Sequence, residues 1–100
     1  MELKDFIRFS PERYVVQILH DSEKARVVLF CLEAGQRVEP HVSASEVFIY
    51  VVEGKGRFLL GDEAPEAKPG TLIACKGNQP HGFSAEERMV LLAIIAPRPS

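Results

Sequence analysis

The sequence predicts an all-β protein, an antiparallel sandwich or barrel built as one domain over residues 1–100, on three observations. Short runs rich in β-branched and aromatic side chains recur along the chain. Clusters of glycine, proline and polar residues separate them at near-regular spacing. No segment of useful length carries the apolar period of an amphipathic helix.

Taken in order, Phe6, Ile7 and Phe9 precede Ser10-Pro11-Glu12, which reads as a turn or a single helical turn opened by a serine cap. The stretches 13–20 (RYVVQILH) and 25–32 (ARVVLFCL) read as two strands joined by the polar turn at residues 21–24, hence a hairpin. Glu33-Ala34-Gly35 turns the chain toward a third short strand holding Val38 and His41. Pro40 inside it demotes that strand to an edge or to the mouth of a barrel. The run 47–52 (VFIYVV), the glycines of Glu53-Gly54-Lys55-Gly56 and the run 57–60 (RFLL) predict a second, central hairpin. Residues 61–69 are a polar connection with two prolines. A strand follows over 70–75 (GTLIAC), then the loop 76–80 that delivers His81, and a last apolar strand over 89–96 (MVLLAIIA) ended by Pro97. The runs 47–52 and 89–96 are apolar on both faces. A half-exposed strand would alternate, so each is expected to be covered on both sides, by a second sheet or a second subunit, and a homodimer follows.

One hundred residues suffice for one core but not two. A formal net charge of -2, with lysines and arginines scattered singly, gives no electrostatic reason to expect nucleic acid or an anionic membrane as partner. No apolar stretch approaches the roughly 20 residues that span a bilayer, and the acidic amino terminus lacks a signal-peptide core, so a cytoplasmic location is expected. Cys31 and Cys75 both fall in apolar strand-like runs and read as buried thiols rather than a disulfide.

The residues that carry chemistry lie in two stretches, 35–54 and 70–85. In the first, Gly35 is followed after five residues by His41, and Gly54 closes the stretch; in the second, Gly70 precedes Pro80-His81-Gly82-Phe83. These spacings, with the phrase VVEGKGRFLLGDE between them, resemble the two motifs of the cupins, small antiparallel jelly-roll β-barrels. The resemblance covers about the last two thirds of the chain. In metal-binding cupins three histidines and a glutamate hold a divalent transition metal such as Fe, Mn, Ni, Cu or Zn, with open positions for substrate or oxygen. Here His41 and His81 fit two ligand positions, Ser43 stands at the second-histidine position, and Val47 at the glutamate position, with Glu46 one residue early. Lys76, Asn78 and Ala85 replace the proline, glycine and asparagine of the second motif.

The resemblance therefore implies a small-molecule pocket built around His41, Ser43, Val47 and His81. It leaves a metal site of His41, His81 and Glu46 as the alternative, which requires a bulge to turn Glu46 inward. A metal-dependent enzyme of dioxygenase or isomerase type is the corresponding alternative function. The plainer readings are that the two histidines satisfy local backbone groups, that His20 is an exposed turn residue, that Cys75, Phe48 and Tyr50 are core or interface residues, and that Lys76 is solvated. No nucleophile stands in a motif that would support hydrolysis.

Overall fold

The two longest apolar runs lie side by side at the centre of the structure. The computed structural model describes residues 1–99, and its strands are β1 (Val15–Asp21), β2 (Arg26–Leu32), β3 (Arg37–His41), β4 (Glu46–Glu53), β5 (Gly56–Leu59), β6 (Glu66–Ala67), β7 (Leu72–Cys75), β8 (His81–Ala85) and β9 (Met89–Ala96). One sheet has the order β1-β2-β9-β4-β7 and the other β3-β8-β5-β6, and all pairings are antiparallel. Among the described residues no ladder joins the two sheets into a closed barrel, so the expected all-β antiparallel fold takes the form of a two-sheet sandwich.

Strand alternation sets the core. Val47, Ile49 and Val51 of β4, with Leu91 and Ala93 of β9, point inward and meet Phe58 and Phe83 from the opposing sheet. Phe30 bridges the layers, its ring 5.0 Å from Phe83 and 6.2 Å from Tyr14, edge-on to both. A second cluster lies on the outward face of the larger sheet, where Leu29, Cys31 and Val90 are covered by Phe6, Ile7 and Phe9. That amino-terminal strap is held in place by Arg88, whose guanidinium stands 4.4 Å over the Phe9 ring and donates to both carboxylate oxygens of Glu33 at 2.8 and 3.0 Å. The helical turn is a 3-10 segment at Leu3–Phe6, earlier than the Ser10-Pro11 signal suggests, and Ser10 instead lends its carbonyl to Gln36 Nε2 at 2.8 Å.

The strap covers only part of the outward face. Beyond it, Tyr50 is 42 %, Leu72 64 % and Ile94 38 % exposed, with Phe48 and Leu92 half-buried between them. The ladders set Leu72 beside Tyr50 and Tyr50 beside Leu92, a continuous apolar row across three strands.

Two expectations need correction. The runs 47–52 and 57–60 do not form a hairpin: β4 pairs with β7 and β9 in one sheet, whereas β5 pairs with β6 and β8 in the other. The glycine-rich turn is a corner at which the chain leaves one layer for the other, and burial of the inward Val47, Ile49 and Val51 between the sheets outweighed the local turn signal. Residues 81–85 form a strand that the sequence conceals, because Phe83 is its only large apolar side chain and its neighbours Gly82 and Ser84 read as turn residues.

Gly54 makes the corner possible. Its φ is +87°, and a Cβ there would overlap the Arg88 carbonyl and lie 2.6 Å from Met89 Cα. Gly35 also has positive φ, +91°, but open space where a Cβ would sit. Gly54→Val is therefore expected to lower stability by at least ~2 kcal/mol, combining strain with a backbone clash, while Gly35→Ala costs about 1 kcal/mol from strain alone. Urea denaturation of both variants checks the order; equal losses would show that the corner does not depend on close approach.

Candidate functional site

The site is assembled by an irregularity in β3. Val38 pairs with Phe83 and His41 with His81, so two residues, Glu39 and Pro40, oppose the single Gly82. Proline has no N–H to give a ladder, and a bulge is where a sheet tolerates it. The bulge rests on Gly82, where a Cβ would come within 2.5 Å of the Val38 carbonyl and 2.8 Å of Pro40 N. Strict alternation from Val38 would send His41 to the opposite face. The extra residue restores the phase and sets the two imidazoles on the same side, with ring centroids 4.4 Å apart and planes at 60°.

The two rings stand in different surroundings. His81 is buried, 3 % exposed, whereas His41 is exposed at the rim. His81 Nδ1 lies 2.9 Å from the Gln79 carbonyl and His41 Nδ1 3.3 Å from the Glu39 carbonyl. A carbonyl can only accept, so each Nδ1 carries the proton and Nε2 is the lone-pair nitrogen of the neutral ring. Burial holds the His81 pKa below the ordinary histidine value; the Gln79 bond opposes this and the nearby His41 adds to it. At neutral pH His81 is an uncharged acceptor at the base of the site.

Two loops frame it and are fastened to each other. Asn78, at φ 67°, donates its N–H to the Ser43 carbonyl at 2.6 Å, and Gly77 packs so closely on Ala44 that a Cβ would lie 2.5 Å from its carbonyl. Ser45 is buried, and its hydroxyl donates to the Pro97 carbonyl at 2.6 Å, tying the 42–45 loop to the segment after β9. The half-open cavity between them, of about 450 Å³, is lined by His41, Ser43, Val47 and His81 together with Ile95 and Arg98.

The sequence-derived candidates separate cleanly. His41, Ser43, Val47 and His81 meet at one cavity. Glu46 does not line it: it is exposed and alternates with inward-facing Val47, and β4 keeps regular register from Glu46 to Val51, so the bulge needed to turn it inward is absent there. His20 and Lys76 are exposed and lie outside the cavity lining, and Cys75 is core. Sequence reasoning missed Ser45 and Arg98. The proline-flanked Arg98, directly after a strand end, was the available signal.

The four-donor set of a metal-binding site is not matched by these side chains. Among the described residues no group of three or more His, Cys, Asp or Glu converges; two imidazoles meet a serine hydroxyl and a valine where further donors would stand. The free thiols do not contribute, since Cys31 lies under the strap and Cys75 in the inner core.

A two-sheet antiparallel sandwich with a histidine-lined cavity at one end defines a small pocket-bearing β-domain. The chain belongs to the cupins: the family model described as Cupin domain matches residues 28–95. An RmlC-like cupin from Desulfovibrio desulfuricans is 35 % identical, with a TM-score of 0.86 over 91 % of this chain and 89 % of the other. The protein TT1209 from Thermus thermophilus is 30 % identical, with a TM-score of 0.92 over 99 % of this chain and 97 % of the other. The polyketide cyclase RemF from Streptomyces resistomycificus shares the fold at 23 % identity, with a TM-score of 0.77 over 88 % of this chain and 68 % of RemF. A search of curated proteins finds no match.

The buried His81 fixes a pH dependence. Its folded pKa lies below the unfolded value near 6.5, so the unfolded chain binds the proton more readily. Its contribution to stability is complete above about pH 6.5 and is lost as pH falls through the folded pKa. Urea denaturation at pH 7.5 and pH 5 should show a larger acid loss for the parent than for His81→Gln; equal losses would mean that burial does not suppress His81 protonation.

Proposed function

We propose that this cupin binds a small molecule in the cavity around His41 and His81, as a binding domain without a resident metal. The observation that carries the reading is the paired imidazoles, each with Nδ1 engaged by its own strand's backbone and Nε2 left over beside a cavity of ligand size. Val47 and Ile95 give an apolar wall, and Ser43 a hydroxyl. The residues supply acceptors and shape rather than a nucleophile, which favours recognition over covalent chemistry. Two unpaired buried thiols suit a reducing compartment, and we place the protein in the cytoplasm.

A fragment screen by ligand-observed NMR tests this, with the parent compared against the double variant His41→Ala/His81→Ala. Fragments that bind the parent are expected to lose binding in the variant, while thermal unfolding shows that the variant still folds; retained binding would place the ligand site elsewhere. Elemental analysis of protein purified without chelator runs in parallel. Near-stoichiometric Fe, Mn, Ni, Cu or Zn in the parent and none in the variant would replace this reading with the metal-dependent enzyme of dioxygenase or isomerase type.

We also propose that the chain works as a homodimer, the second copy covering the apolar row of Leu72, Tyr50 and Leu92 left open by the strap. Sedimentation velocity should give a dimer for the parent and an 11.1 kDa monomer for Leu72→Glu/Tyr50→Glu with unchanged circular dichroism. A monomeric parent would remove the proposal.

A further inference from the structure

The charge around the cavity is lopsided. The chain has 14 acidic and 12 basic side chains, yet among the described residues no aspartate or glutamate lines the cavity, while Arg98 does. Arg98 is anchored at its backbone, where its N–H donates to the Glu23 carbonyl at 3.4 Å. Its nearest carboxylate among the described residues is Asp21, 3.6 Å from Nε. Asp21 is already engaged by Arg26, whose Nε and Nη2 lie 3.3 and 3.4 Å from its two oxygens. One carboxylate thus serves two guanidiniums, and among the described residues no acceptor takes the Arg98 Nη groups. A guanidinium whose Nη groups meet no acceptor among the described residues is a fork suited to a carboxylate.

The histidines contribute a different function. With Nδ1–H held by backbone carbonyls, each ring in its neutral form offers Nε2 as an acceptor, which calls for a hydroxyl donor on the ligand. The single formal positive charge matches a monoanion better than a phosphate dianion. Resting on the small-molecule reading above, we infer that the ligand is a small hydroxy-carboxylate whose carboxylate is held by Arg98 and whose hydroxyl donates to Nε2 of one ring of the His41–His81 pair and packs against the other. The wall of Val47, Ile95 and Pro97 takes its apolar body.

The test follows the histidine side-chain signals of the full chain by NMR while it is titrated at pH 7.5 with mandelate, mandelamide, phenylacetate and phenyl phosphate. Mandelate is expected to bind tightest and to move both histidines. Arg98→Gln should weaken mandelate roughly tenfold and leave mandelamide unchanged, with Arg98→Lys in between. Mandelamide binding as tightly as mandelate, or an Arg98→Gln variant that binds mandelate like the parent, would overturn the carboxylate assignment. Phenylacetate matching mandelate would overturn the hydroxyl contact, and phenyl phosphate binding tighter than mandelate would overturn the monoanion class. In each of these cases the histidine signals still respond, so the cavity itself stands. Silence of both histidines toward all four compounds overturns the inference outright, and the fragment screen then decides independently whether the cavity binds anything.

Discussion

The bulge of β3 over Gly82 is the constraint on which the site depends. Antiparallel strands present paired residues to a common face, so whether two histidines can cooperate is decided by the count of residues between them and the nearest fixed pair. Here that fixed pair is Val38 and Phe83, both committed to the core. Three steps lead to His41 on one strand and two to His81 on the other, and an ordinary ladder would place the rings on opposite sides of the sheet. Pro40 cannot extend a ladder, and Gly82 leaves room for a bulge. Those two residues together convert a mismatch into a pair. The surrounding loops then need only hold that pair at a cavity mouth, which the Asn78–Ser43 and Ser45–Pro97 bonds do.

The same economy of backbone explains the two-layer architecture. The chain must change sheets between β4 and β5, and the corner at Gly54 lets it pass directly beneath the Arg88–Met89 backbone. Placing β4 and β9 next to one another at the centre of the larger sheet buries the most apolar segments once on the inside, through Val47, Ile49, Val51, Leu91 and Ala93. Their other face is only partly covered. The strap seals Cys31, Leu29 and Val90, and stops short of Tyr50 and Leu72.

Much of the fold was legible in the sequence because strand composition and turn chemistry agree along most of the chain. β1, β2, β4 and β9 are long, apolar and bounded by polar turns, and they stand close to where periodicity places them. The failures come where local pattern does not encode which sheet a strand joins or where a strand is irregular. Residues 53–56 look like a hairpin turn and are a corner, and β8 was hidden because its glycine serves the bulge rather than the strand. At the site, family spacing identified His41 and His81, and alternation alone would have separated them. Glu46 could be weighed only as a carboxylate near the right position; its outward direction follows from the regular register of β4. Arg98 was passed over because its place in the cavity depends on how the segment after β9 folds against the 42–45 loop.

The two cysteines sit on opposite sides of one sheet, one beneath the strap and the other in the central core, and burial raises the pKa of both thiols. Each is therefore chemically silent until the layer above it opens. Detachment of the first nine residues would unmask Cys31 while Cys75 stayed sealed between the sheets. Thiol labelling thus divides the molecule's fluctuations into two classes, a partial one confined to its amino-terminal cover and a deeper one that separates the layers. The chain carries its own pair of independent reporters for them.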